Sequence, residues 1–180
     1  MAVDRTQQVL QAVNAKPRLR LSFEVSGTPI PQGSKRAWIS SATKQVVMRE
    51  DAGTRHSTWR NEVTGQARQA MADIGRFGEP FREPISCILT FQFHRPQFHY
   101  GTGRNSESVK PSAPAHPTKP PDLDKLTRAI WDSLTSVVWV DDAQVVAATI
   151  RKQFIQRWQP EGVLILVGTF GSGDDNDGVE

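Results

Sequence analysis

The chain has 180 residues, enough for one domain with a single core, and 37% of them are hydrophobic. No window approaches the roughly 20 apolar residues of a membrane span, and Met1 to Lys16 lack the apolar stretch of a signal peptide. With Cys87 as the single cysteine no intramolecular disulfide forms, so a cytoplasmic protein is expected. The net charge is +3, but Asp174, Asp175, Asp177 and Glu180 fall in a tail without bases, so residues 1–170 carry +7. That balance suits an anionic partner such as nucleic acid.

Residues 1–19 read as a flexible extension, 20–170 as one domain, and the Gly- and Asp-rich 171–180 as a disordered acidic tail. Leu21-Ser-Phe-Glu-Val-Ser alternates apolar and polar residues, the mark of a half-buried strand. A turn-rich segment from Gly27 follows and ends in Lys35 and Arg36. It reads equally as a plain connection or a phosphate-contacting loop. Trp38-Ile39 and Gln45 to Arg49 form a short hairpin pair.

From Ser57 to Ile74, Trp59, Val63, Ala67, Ala70, Met71 and Ile74 recur at three- and four-residue spacing. This predicts an amphipathic helix, ended by Gly75 and Gly78. Ile85 to Phe93 reads as a strand in which Cys87 is a buried, unreactive thiol. Residues 96–121 then hold six of the twelve prolines and almost no aliphatic residue. So long a loop is either a disordered insertion or a substrate-contacting flap carrying His99, Tyr100, Arg104, Lys110 and Lys119. A helix from Asp122 to Thr135, with Leu123, Leu126, Ile130 and Leu134 as its buried stripe, is followed by strands over 143–155 and 162–170, joined as a hairpin through Arg157 to Gly162. The expected architecture is α+β: one domain, with a small mixed sheet packed against two main helices.

Two acidic elements stand out. Asp122-Leu-Asp124 opens the second helix, where Asp122 suits an N-cap and Asp124 complements the dipole. Asp124, Arg128 and Asp132 would then form an ion-pair ladder on one flank. The second element, Asp141-Asp142, interrupts an apolar run between Trp139-Val140 and Val145-Val146. Buried carboxylates need a partner, and a hard divalent cation is one. If the chain doubles back along its helix, one of the pair arrives beside Asp122 and Asp124. A site shared between two subunits is equally drawable. Near such a site Arg128 and Lys125 are the cations available to a transition-state phosphate.

Lys119-Pro-Pro-Asp-Leu-Asp-Lys-Leu, Ile130-Trp-Asp-Ser-Leu and Val138-Trp-Val-Asp-Asp-Ala-Gln-Val-Val together resemble the RusA family of Holliday-junction resolvases, often carried by phages and prophages. The resemblance is ordered over residues 119–146, with weaker likeness around Val47-Met-Arg-Glu and the Trp59 helix. It implies a homodimer that binds four-way DNA junctions and nicks two strands symmetrically with Mg²⁺, or Mn²⁺ in its place, acting in DNA recombination and repair. The family's essential aspartates fall on Asp122, Asp124 and Asp142, with Asp141 the alternative on the residues alone. The family's catalytic lysine position holds Arg128, and Lys125 stands where Asn is frequent. Lys35, Arg36, Lys119, Lys125 and Arg128 are the expected DNA contacts. Two other readings share these residues: a nuclease of broader branched-DNA or flap specificity, and a non-catalytic junction-binding accessory protein in recombination or packaging.

Overall fold

The computed structural model describes residues 16–33, 35–39, 46–50 and 53–171. In chain order these hold β1 (Arg18–Ser26), β2 (Lys35–Ile39), β3 (Val46–Glu50), α1 (Gly53–Asp73), β4 (Ile85–His94), α2 (Leu123–Leu134), β5 (Val145–Ile155) and β6 (Gly162–Thr169). The strands β1, β6, β4 and β5 make one sheet in that spatial order, while β2 and β3 pair as a separate antiparallel hairpin. The sheet is mixed: β6 runs antiparallel to both its neighbours, and β4 and β5 are parallel. The α+β architecture with two main helices is as expected. The bulk of the first 19 residues and the acidic tail from Ser172 lie outside the described residues, although β1 begins at Arg18, two residues ahead of the expected domain start.

Period-two alternation places Leu21, Val25, Cys87, Leu89, Phe91, Val163, Ile165 and Val167 in the core. On α1, the three- and four-residue spacing buries Trp59, Val63, Ala67 and Met71. Ile74 does not join that face and is exposed. The helix has already ended there in a Schellman turn, in which Arg76 N–H donates to Met71 O and Gly75 N–H to Ala72 O, both at 2.8 Å. Gly75 takes φ = 73°, which glycine adopts without steric cost. On α2, Leu126, Ile130 and Leu134 are buried as expected, and Leu123 only partly so. Thr64 Oγ1, donating to Ser133 O at 3.1 Å, ties the helices together. Burial pushes the Cys87 thiol up to about 12, opposed by Trp131, so it stays neutral and inert.

Two expectations need correction. The segment from Arg157 to Gly162 is not a hairpin connection, because β4 lies between β5 and β6. Neither edge of β6 is free, since it pairs with β1 on one side and β4 on the other. Residues 96–121 are not a disordered insertion either. Single 3₁₀ turns at Gln97–His99 and Gly103–Asn105 and a bridge between Tyr100 and Val109 organise the segment. His99 and Tyr100 are buried within it. Arginines clamp it from outside: Arg157 stacks on the Tyr100 ring at 3.9 Å and pairs with Glu107 at 3.1 Å, and Arg95 donates to Pro114 O at 2.7 Å.

Candidate active site

The N-terminal end of α2 is built by the chain that enters it. Lys152 of β5 donates to Lys119 O at 3.0 Å and to Pro121 O at 2.9 Å, fixing the backbone just before the helix. On the other flank, Gln32 N–H donates to Lys125 O at 3.0 Å. Three residues on from Gln32, Lys35 is within about 11 Å of it by chain length alone, so the β2–β3 hairpin starts close to this end.

Asp122 occupies the N-cap position, and its carbonyl accepts from Leu126 N–H at 3.1 Å. Its side chain does not cap the helix. Instead the exposed carboxylate turns toward Lys125 Nζ at 3.2 Å. Asp124 and Arg128 are exposed and make no hydrogen bond or ion pair among the described residues. The expected ladder through Asp132 therefore does not form. Asp132 is half-buried and accepts from Gln32 Nε2 at 3.0 Å, a packing role between α2 and the segment before β2.

The Asp141–Asp142 pair is at the other end of the helix. After Leu134 the chain makes a compact turn, with Val138 N–H donating to Leu134 O at 2.8 Å and Ser136 N–H to Trp139 O at 2.7 Å. Trp139 is buried, and Phe81 N–H donates to Val138 O at 2.8 Å. Gln144 then locks the pair in place. Its Oε1 accepts from Val140 and Asp141 N–H at 2.8 and 2.9 Å, and its Nε2 donates to Phe81 O and Glu83 O, both at 3.1 Å. Beside it the Glu83 carboxyl is held below the usual carboxylate range by its own and Arg82's backbone N–H groups.

β5 starts here, with Val145 opposite Ile85, and reaches Pro121 only at Lys152, seven residues later. That is roughly 20 Å of strand. The fold-back that would bring Asp142 to Asp122 and Asp124 within one chain does not occur. Accordingly, no group of three metal-binding side chains exists among the described residues. The pair is also not buried: both aspartates are exposed on a 3₁₀ turn. Their roles differ. The Asp141 carboxylate accepts from Ala143 N–H at 2.8 Å as half of a capping box, whereas Asp142 has no partner among the described residues.

The structure thus brings Asp122, Asp124, Lys125 and Arg128 together on the first turns of α2, with Lys119 just upstream, and leaves Asp142 apart. Lys152 was missed from the sequence. Its signal is the polar run Arg151-Lys-Gln inside an otherwise apolar strand. Two carboxylates at a helix start supply hard oxygen ligands of the kind Mg²⁺ takes, with water and phosphate completing its shell. The uncapped N–H groups beside them favour an anion.

The family model described as endodeoxyribonuclease RusA matches residues 27–164, well over half of the chain. The chain belongs to the RusA family, endonucleases that act on Holliday junctions. No curated protein matches it.

Proposed function

We propose that the chain is a Mg²⁺-dependent endodeoxyribonuclease that resolves four-way DNA junctions as a homodimer, by paired symmetric nicks. The observation that carries this reading is the exposed, uncapped Asp122–Asp124 pair at the start of α2, flanked by Lys125 and Arg128. Asp122 and Asp124 would hold the ion. Bound there, Mg²⁺ supplies a water of lowered pKa and neutralises charge at the leaving oxygen. Arg128, one turn beyond Asp124, offers its guanidinium to the charge that develops on the scissile phosphate. Lys125 and Lys119 hold flanking phosphates, and Lys35 and Arg36 at the start of β2, whose side chains lie outside the described ones, are proposed as further DNA contacts.

Asp142 enters through the partner. A two-fold axis crossing α2 would set the N-terminal end of one helix against the C-terminal end of the other, so that each protomer's Asp142 meets the other's Asp122 and Asp124. One such dimer holds two equivalent sites, one for each nick.

The test is incubation with a synthetic four-way junction and with linear duplex, in Mg²⁺ and in EDTA. Symmetric nicks in the junction alone, abolished by EDTA, are expected. Cutting of linear duplex at the same rate, or cutting in EDTA, counts against the reading. Junction binding without cleavage in any divalent metal points to an accessory protein instead.

A further inference from the structure

Beneath the Pro-rich lobe, between it and the ends of β4 and β5, lies a cavity of about 160 Å³. Its walls include Phe93, Phe98, Phe154 and Pro117, and its polar lining includes Lys119 and Lys152. Apolar enclosures of about 150 Å³ are large enough to take up benzene. The space therefore suits one aromatic ring system. Phe98 is 60% exposed, with Lys119 Nζ 5.6 Å from its ring centroid and the His99 imidazole packed edge-on against it. An exposed aromatic face beside a cation is how proteins hold single unstacked bases.

Position and charge name the occupant. Pro120 and Pro121 line the cavity and lead directly into Asp122. Lys152 commits two of its three donors to Lys119 O and Pro121 O, leaving one for a ligand. The cavity is also lined by Glu161, whose carboxylate already accepts from Thr28 Oγ1 at 2.7 Å and His94 N–H at 2.9 Å. An aromatic cavity with Lys119 and Lys152 on its lining, joined to the candidate catalytic carboxylates, thus fits a nucleotide of the DNA being cut.

We propose that this cavity receives one unstacked base of the substrate, held against Phe98 and Phe154, and so sets which phosphate lies at Asp122 and Asp124. The proposal rests on the endonuclease reading above and adds a source of selectivity to it. Removing a base from its stack costs least where the stack is already broken, as at a branch point.

The test uses four-way junctions carrying one abasic residue at each position flanking the branch, with affinity measured in EDTA and cleavage in Mg²⁺. The variant Thr118→Trp fills the cavity from an exposed position on its rim. The wild-type protein is expected to lose about tenfold in affinity at one flanking position, the order of one stacked base. Thr118→Trp is expected to bind the intact junction about tenfold more weakly and to lose nothing further from the abasic residue. Phe98→Ala, at another exposed wall, should show the same insensitivity if Thr118→Trp fails to fold. Wild-type indifference at every flanking position, or equal abasic losses in wild type and variants, overturns the proposal. If intact junctions are still cut under either result, the endonuclease reading stands. A protein that neither binds nor cuts branched DNA overturns both.

Discussion

At the N-terminal end of α2 the polar groups face outward with little to hold them, whereas at its C-terminal end nearly every polar group is engaged. Among the described residues the Asp122 carboxylate pairs only with Lys125, and Asp124 and Arg128 make no hydrogen bond or ion pair. At the far end, Gln144 alone makes four hydrogen bonds, and Asp141 completes a capping box. The difference separates two uses of the same residue type. Where backbone N–H groups satisfy a carboxylate, it is scaffolding. Where it is exposed and unsatisfied beside cations, it is available to a ligand. Of the adjacent pair, Asp141 is engaged in this way and Asp142 has no partner among the described residues, which is why Asp142 is the one proposed here as a ligand.

The comparison breaks most sharply at the aspartates. Asp124→Asn and Asp142→Asn should each reduce junction cleavage in Mg²⁺ by at least about 100-fold, with junction affinity within about threefold of wild type by gel shift. Mixing the two inactive variants then tells a shared site from a single-chain one. In a mixed dimer, a site built across the interface has both lesions in one copy and none in the other. Nicking of one strand should therefore return. If the mixture stays inactive although mixed dimers form, Asp142 does not act across the interface.

Stability should show the opposite bias. Gln144→Ala strips partners from two carbonyls and two N–H groups, and should cost about 2 kcal/mol. That corresponds to a drop in Tm of about 4–8 °C by calorimetry. Lys125→Ala removes only an exposed ion pair, worth about 0.5 kcal/mol, and should move Tm by about 1–2 °C. Equal shifts would erase the contrast between the two ends.

The smallest effect expected is at Glu83. Its folded carboxyl ionises below the ordinary value of 4.5. The stability it contributes is therefore present above that value and is lost as pH falls through the lowered folded one. Glu83→Gln should flatten the dependence of stability on pH below about 4.5 and forgo at pH 7 the small increment that the ionised carboxylate contributes there. An unaltered acid limb in urea titrations at several pH values would refute that assignment.

Much of this was legible from periodicity. The stripe Leu126, Ile130, Leu134 and the alternation in β1, β4 and β6 place these elements because burial repeats at 3.6 or 2 residues. Alternation says nothing of which strand pairs with which, so the β5–β6 hairpin was a reasonable expectation that the insertion of β4 overrides. Asp141-Asp142 misled for a different reason. Apolar residues on both sides concealed a turn that contains neither Gly nor Pro, although Asp141-x-x-Gln144 is itself a capping-box pattern. The lobe over 96–121 escaped because its order comes from arginines outside it, Arg95 at its start and the distant Arg157, rather than from local aliphatic residues.

The first turn of α2 has one further implication. A serine or asparagine at position 122 should bond the free N–H groups there, and capping of this kind stabilises helices by about 1 kcal/mol. Asp122 occupies that position without capping the helix. Selection for durability alone would favour a residue that closes this turn. Asp122→Ser should therefore give a protein that is harder to melt and unable to cut, a trade of activity for stability located in one side chain. The open turn is a weakness of the fold kept at the place proposed for its substrate.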